Sequence, residues 1–162
     1  GERRTMSEQQ SSGEEVNRQF ALQRIYLKDA SFESPGSPNS FRTEWKPNVN
    51  LELNTKNEKL EGDLWDVVLG LTITAKNEED EVVYLVEVQQ AGIFHLSGFE
   101  TEGMAHALGS FCPSVLFPYA REVVDSFVVK GSFPPLMLAP VNFDAILEQS
   151  QLAQARQDNE IQ

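Results

Sequence analysis

Cysteine, histidine and basic residues are scarce in this chain of 162 residues. Cys112 is the single cysteine, so the chain can form no intrachain disulfide and no zinc site built from several cysteines. That scarcity is typical of a reducing compartment, and we expect a cytoplasmic protein. Lysine and arginine number 13 against 25 aspartates and glutamates, a net charge of −12. Such an acidic surface repels phosphate and anionic lipid, which disfavours nucleic acid and membranes and favours a basic protein partner.

The sequence also lacks an apolar run long enough to span a membrane and the apolar core of a signal peptide, so no membrane insertion is expected. The motifs HExxH, GxSxG, GxGxxG and the P-loop are absent. His106 and Cys112 are a conceivable base and nucleophile, but a packed cysteine and a capping or core histidine are the simpler interpretation. Two histidines without a third ligand at motif spacing do not predict a metal site, and no cofactor is expected.

The remaining composition suits one folded domain. Hydrophobic residues make up 40% and charged residues 23% of the chain, which is enough for a core. The first five residues precede Met6 and are interpreted as a tag remnant. The polar stretch that follows has no periodicity, so disorder is expected over residues 1–18. We predict a folded domain over residues 19–152 and a flexible tail over residues 153–162, where the sequence offers nothing to bury.

Alternation of apolar and polar residues predicts an antiparallel sheet. The segment from Phe20 to Phe32 is rich in β-forming residues. Apolar residues then alternate with polar ones over residues 49–53, 65–73 and 82–90. A glycine-containing turn and a charged turn separate these three segments, which favours a meander.

Proline interrupts the segment from Ser34 to Pro47, which holds three of the eight prolines. Proline fixes φ and lacks an amide hydrogen, so we predict a long crossing loop without helix or interior strand. The loop carries two aromatic residues, Phe41 and Trp45, which are expected to be exposed.

The last third of the chain has helical spacing. Apolar residues recur three and four positions apart from Tyr119 to Val128. Pro118 is expected in the first turn of this helix, and Gly131 in the left-handed conformation just past its end. A second helix is predicted after Asn142, its N-cap. Strands followed by helices indicate an α+β fold with the helices on one face of an antiparallel sheet.

Glu87 lies within an otherwise apolar strand. Strand alternation places it on the same face as Leu85. The opposite face carries three residues: Val86, Val88 and Gln90. Asp29 and Glu33, four residues apart, also share a face if their strand extends that far. The simpler interpretation is that these acids are ordinary surface residues. The functional interpretation is that they form a flat acidic sheet face, which docks a basic module.

Four stretches together resemble the SecB protein-export chaperones over nearly all of residues 20–147. They are QRIYLKDASFESP, VEVQQAGIF, GMAHALGSFCPSVLFPYARE and GSFPPLMLAPVNFDAI. The resemblance implies an ATP-independent holdase of the bacterial cytoplasm, which binds unfolded secretory precursors and delivers them to the SecA translocation motor. It also implies a four-stranded antiparallel sheet with helices packed on one face, assembled as a homotetramer, a dimer of dimers.

The resemblance further implies three sets of residues. Contacts with the C-terminal zinc-binding module of SecA fall on Asp29, Glu33, Leu85 and Glu87. The oligomer interface falls on Val86, Val88 and Gln90. Client binding falls on a groove between the crossing loop and the terminal helix: Phe41, Trp45, Leu51, Leu53, Phe143, Ile146 and Leu147. The helix turns polar from Glu148, so the far end of the groove is undefined.

Other functions stay open. One is a solitary SecB-like chaperone for a toxin–antitoxin pair, against which the acidic positions argue. Another is a small α+β hydrolase that uses Cys112 and His106. A third is a monomeric ligand-binding domain with a closed pocket.

Overall fold

The computed structural model describes residues 17–161, so the expected disorder over residues 1–18 lies almost entirely outside the described residues. Within them, four strands precede three α-helices. In chain order they are β1 (Gln19–Glu33), β2 (Asn48–Lys59), β3 (Leu64–Lys76), β4 (Val82–Ser97), α1 (Thr101–His106), α2 (Cys112–Lys130) and α3 (Phe143–Ile161).

The strands form one antiparallel sheet in the order β1-β4-β3-β2. Strands β2, β3 and β4 make the predicted meander. Strand β1 pairs with β4 at one edge of the sheet, and the crossing loop joins β1 to β2 at the other edge. Gly62 takes a left-handed φ of 62° in the first turn, where glycine has no steric cost. In the second turn the Asn77 side chain accepts hydrogen bonds from the amides of Glu79 and Glu81, both at 2.9 Å.

Strand β4 continues to Ser97, beyond the end predicted at Gln90. Ala91 and Gly92 did not suggest a strand, but here a small residue is required. A Cβ on Gly92 would lie 3.1 Å from a Leu116 methyl and 3.2 Å from the Arg24 carbonyl oxygen. Glycine therefore lets α2 and β1 approach the middle of β4 closely.

The helices cover one face of the sheet, as predicted, and the other face stays open. Helix α2 packs on β3 and β4. The core lies between them and takes alternate residues of both strands: Val67, Leu69, Leu71 and Ile73 with Tyr84, Val86, Val88 and Phe94. Every one of these side chains is fully buried, which confirms the α+β class and the strand periodicity.

Helix α2 begins at Cys112, six residues before the predicted start. A π-helical segment, Ala107–Phe111, joins it to α1, so that the chain is helical from residue 101 to residue 130. The expectation that Pro118 lies in the first turn is wrong, because it lies inside the helix. Proline there removes a backbone hydrogen bond. Burial of the neighbouring Leu116, Phe117 and Ala120 against the sheet outweighs that loss.

Gly131 ends α2 in a different way from the prediction. Its φ is −78°, and Ser132 takes the left-handed conformation with φ 69°. The amides of Ser132 and Phe133 bond to the carbonyls of Val129 and Val128, at 2.9 and 3.1 Å, which is a Schellman motif. Glycine is needed at 131 because a Cβ would collide with the Phe32 ring. Close packing, and not a left-handed φ, accounts for this residue.

Helix α3 starts where the sequence predicts. The Asn142 side chain accepts a hydrogen bond from the Ala145 amide at 3.0 Å, which is an N-cap. The helix continues to Ile161, through most of the segment predicted as a flexible tail. Side chains from Glu148 to Glu160 are exposed, so hydrogen bonds within the helix itself maintain this part. No helix among residues 17–161 is long and apolar enough to cross a bilayer.

Candidate functional site

The crossing loop contains a 3-10 turn over Asn39–Arg42, although its prolines had predicted no helix. The turn presents Phe41, whose side chain is 50% exposed. Trp45 is only half exposed, contrary to the expectation, because its indole packs on the core. The ring centroids of Phe41 and Trp45 lie 5.3 and 5.2 Å from that of Phe133. The loop aromatics thus form one cluster with a residue from beyond α2.

Tyr84 completes this aromatic cluster from the sheet. Its ring stacks on Trp45 at 6.2 Å and lies 4.9 Å from Phe133. Sequence reasoning missed both residues. The alternation of β4 places Tyr84 on the covered face with Val86, which was an available signal, whereas nothing local marks Phe133. We call these four residues the aromatic cluster: Phe41, Trp45, Tyr84 and Phe133.

An open cleft of about 460 Å³ lies between the crossing loop and the β3–β4 turn. Trp45 and Val83 contribute apolar surface to its lining, and the turn contributes its acids: Glu78, Glu79 and Glu81. Lys46 neutralises part of this charge, since its Nζ lies 3.5 Å from Glu44 and 4.0 Å from Glu78. The cleft therefore combines an aromatic wall with an acidic rim.

Leu51 and Leu53 lie on β2, the edge strand that follows the crossing loop. They pair with Ile73 and Leu71 of β3, on the covered side of the sheet. Both are half-buried and pack against the core. The apolar surface of the loop thus continues along this edge of the sheet.

The residues predicted on the terminal helix form a second cluster. Phe143 is buried and meets Phe117 of α2 edge to face at 6.0 Å. A Cβ placed on Gly109 would lie only 2.7 Å from a Leu147 methyl. Because glycine has no Cβ, the Leu147 side chain can pack closely on the π-helical segment. Ile146 is 41% exposed. The contacts of α3 are chiefly with the π-helical segment, so the helix and loop halves of the predicted groove are separate clusters in this structure.

Strand register brings the predicted acids together on the open face of the sheet. In the pairing of β1 with β4, Glu33 lies opposite Leu85 and Asp29 opposite Gln89. Glu87 lies opposite Ser31, between the two acids of β1. The three carboxylates are exposed, and Leu85 is half-buried among them. We call this group the acidic patch: Asp29, Glu33, Leu85 and Glu87.

Comparison with known proteins identifies the family. A family described as preprotein translocase subunit SecB matches residues 13–154. The protein-export protein SecB of Pseudomonas paraeruginosa is 52% identical over 158 residues, 96% of each chain. That of Ectopseudomonas mendocina is 58% identical over 148 residues, 89% of this chain and 91% of the relative. This chain belongs to the SecB family.

Membership makes the chain a protein-export chaperone and not an enzyme. Among solved structures, a SecB-like chaperone of Mycobacterium tuberculosis, in complex with a peptide from an antitoxin, has a TM-score of 0.63. It is 19% identical, and the match spans 75% of this chain and 90% of that one. At that identity the likeness supports the SecB fold alone. The more similar relatives are named for protein export, which fits the main interpretation better than the toxin–antitoxin alternative.

The residues predicted for the SecB oligomer interface are inside the protomer. Val86 and Val88 have no exposed surface and belong to the core beneath α2. Gln90 is 3% exposed, and its Nε2 donates to the Tyr26 carbonyl of β1 at 2.9 Å. In the protomer these side chains leave almost no surface for a second subunit to contact, so this burial disfavours the prediction that they form the interface directly. Any influence on assembly acts through the positions of α2 and β1.

Cys112, the nucleophile of the hydrolase alternative, is poorly suited to that role. Cys112 is fully buried, and burial raises the pKa of its thiol to about 12. His106 Nε2 instead lies 2.8 Å from Asp144 Oδ1 of α3. The Ser110 hydroxyl donates to that same oxygen. Hydrogen bonds from Ser110 and then His106 hold the pKa of Asp144 below its usual range, so this cluster is a polar anchor for α3.

Proposed function

We propose that the chain is an ATP-independent holdase of the bacterial cytoplasm, which binds unfolded secretory precursors and delivers them to the SecA motor. The observation that carries the proposal is the aromatic surface at the crossing loop. Phe41 is half exposed there, and Trp45 lines an open cleft rather than a closed pocket. In a SecB-family chain, such rings can pack on many different client side chains.

Client affinity comes from apolar burial along the crossing loop and β2. Burial contributes about 25 cal/mol per Å² of apolar surface, so a client needs several contacts along this edge. The glutamates of the β3–β4 turn add an attraction for basic clients, since they are exposed at the rim of the cleft. The resulting preference is for segments that combine aromatic and basic residues. Nothing in this binding requires nucleotide.

We assign the acidic patch to the docking of SecA, through the basic C-terminal module that carries the zinc. Exposed ion pairs contribute about 0.2–1 kcal/mol each, so useful affinity needs several of them. The register of β1 and β4 supplies three carboxylates around one apolar side chain, Leu85. Repetition of the patch by symmetry would add avidity. Binding should weaken with salt, because the Debye length falls to about 3 Å at 1 M.

We also propose that the chain assembles as a homotetramer, a dimer of dimers. Since Val86 and Val88 are inside the protomer, other apolar residues must form the interface. Several large ones are exposed on the side of the sheet that the helices cover: Leu22, Leu27, Phe111, Tyr119 and Val129. Persistent interfaces bury about 2,000 Å² or more in total, so this interface would have to include exposed residues of both β1 and the helical segment.

The test of the holdase is suppression of the aggregation of an unfolded secretory precursor, with and without ATP. Wild-type protein should suppress aggregation equally under both conditions. Trp45→Ala should weaken suppression, whereas the control Trp65→Ala, which also removes a half-buried indole, should suppress normally when folded. Failure of the wild type to bind unfolded chains would contradict the proposal. Client binding without any SecA binding would instead favour a solitary chaperone.

A further inference from the structure

Tyr84 carries a polar group for which the fold provides no partner. Its side chain is fully buried, and its hydroxyl is the one buried side-chain polar atom without a hydrogen bond among residues 17–160. Burying an unpaired hydroxyl destabilises a folded chain, and phenylalanine would fill nearly the same space without that cost. The free protomer therefore gains nothing from this oxygen. A group that opposes local stability is a candidate for a functional role.

The position of Tyr84 indicates what that role is. One ring, the indole of Trp45, both stacks on Tyr84 and lines the open cleft. Val83, the preceding residue, also lines the cleft. Trp45 belongs to the crossing loop, and its indole packs on the rings of Tyr84 and Phe133. The Tyr84 ring is thus separated from the cleft by a single ring on a loop.

The hydroxyl is a hydrogen-bond donor at neutral pH. Burial, and then the nearby Asp125 carboxylate, raise the pKa of Tyr84 to about 12. That carboxylate is already engaged, because its Oδ1 accepts the amides of Leu136 and Met137 at 3.0 and 3.4 Å. An unfolded client offers the complementary group in every residue, a main-chain carbonyl with no partner of its own.

We propose that Tyr84 is a client-recognition residue: a client aromatic side chain takes the place of the Trp45 indole, and the Tyr84 hydroxyl then donates a hydrogen bond to a main-chain carbonyl of that client. The inference rests on the proposed holdase function and names the segment bound at this end of the site. That segment is extended and carries an aromatic residue, beside the acidic rim that favours a basic one. Main-chain recognition adds affinity without restricting client sequence.

The test compares Tyr84→Phe with Tyr26→Phe. The control removes a hydroxyl that has a partner, Asp66 Oδ1 at 2.5 Å, on the open face of the sheet. The probe is reduced and carboxymethylated ribonuclease A, which stays unfolded, with affinity measured by titration calorimetry and stability by thermal melting. Tyr84→Phe should raise the melting temperature by about 2–6 °C and weaken the probe's Kd about 3- to 10-fold. Tyr26→Phe should lower the melting temperature and leave the Kd unchanged.

The opposite signs of the two effects of Tyr84→Phe distinguish recognition from packing. A higher melting temperature with an unchanged Kd would overturn the proposal, because the hydroxyl would then be a structural defect only. A fall in both stability and affinity would also overturn it, because altered packing would explain the loss. Two lysine-flanked peptides that differ only in a central Phe or Ala add a second test, since the loss in Tyr84→Phe should appear with the Phe peptide alone. A wild type that binds none of these probes would contradict the holdase function itself.

Discussion

The assembly of the chain can be tested by placing one charge in the core and one on the exposed edge. Val88 is fully buried between Leu71 and Ala30 on the flanking strands. Leu27 belongs to β1, pairs with Gln90 of β4 and lies on the same side of the sheet as Val88. Unlike Val88, it is 48% exposed. Val88→Asp and Leu27→Asp therefore introduce the same carboxylate into two environments, and their results separate an effect on folding from an effect on association.

Val88→Asp should prevent folding rather than yield smaller oligomers. An uncompensated buried charge costs about 3–5 kcal/mol, and the lost burial of the valine about 1.5 kcal/mol more. That sum approaches the whole stability of a domain, about 5–15 kcal/mol. Leu27→Asp gives up only part of the burial of one leucine, about 1 kcal/mol, so each protomer should fold. The charge would be buried only on association, so the tetramer should dissociate.

Light scattering coupled to gel filtration gives the mass of each variant, and circular dichroism with thermal melting gives its fold. We expect a folded species of lower mass for Leu27→Asp and an unfolded or aggregated chain for Val88→Asp. A folded Val88→Asp dimer with native melting would refute it, because Val88 would then lie at the interface itself. A Leu27→Asp tetramer would place the interface elsewhere, and a monomeric wild type at micromolar concentration would refute the tetramer.

Three further changes test other parts of the structure. Glu87→Lys should weaken SecA binding about 2- to 30-fold, as expected for reversal of a surface pair, with client binding unchanged in a parallel titration; equal loss of both would indicate misfolding. Gly131→Ala should lower the free energy of unfolding by about 1–3 kcal/mol in urea denaturation, because the added Cβ collides with Phe32. Hydrogen bonds, first from Ser110 and then from His106, hold the pKa of Asp144 below its usual range. The Asp144 carboxylate therefore stabilises the fold above the ordinary carboxyl pKa, and this stabilisation is lost as the pH falls through the lowered pKa. Amide exchange in α3 should therefore accelerate in acid and in Asp144→Asn at neutral pH; unchanged protection in that variant would show that the carboxylate does not anchor the helix.

Local pattern was sufficient for most of the secondary structure. Alternation along β4 separates Glu87 from Val88 because successive side chains of a strand point to opposite faces. The Asn142 cap was predictable because an N-cap satisfies amides within its own first turn. The end of β4 and the start of α2 were not predictable in this way. Gly92 and Pro118 are poor strand and helix residues, and only packing against other elements allows them.

Residue roles that depend on long-range contacts needed the tertiary structure. Alternation places Val86 and Val88 on one face of β4, but it does not show whether α2 or another subunit covers that face. In the folded protomer, α2 covers it. The aromatic cluster joins the crossing loop, β4 and the segment after α2, where Phe133 has no local pattern to mark it. The sequence by itself determined the family, through four long resembling stretches, and the two faces of β3 and β4, through the alternation of their residues. Only the tertiary structure decided what covers each face and which hydroxyl is left without a partner, because burial and hydrogen bonding are set by residues far apart in the chain.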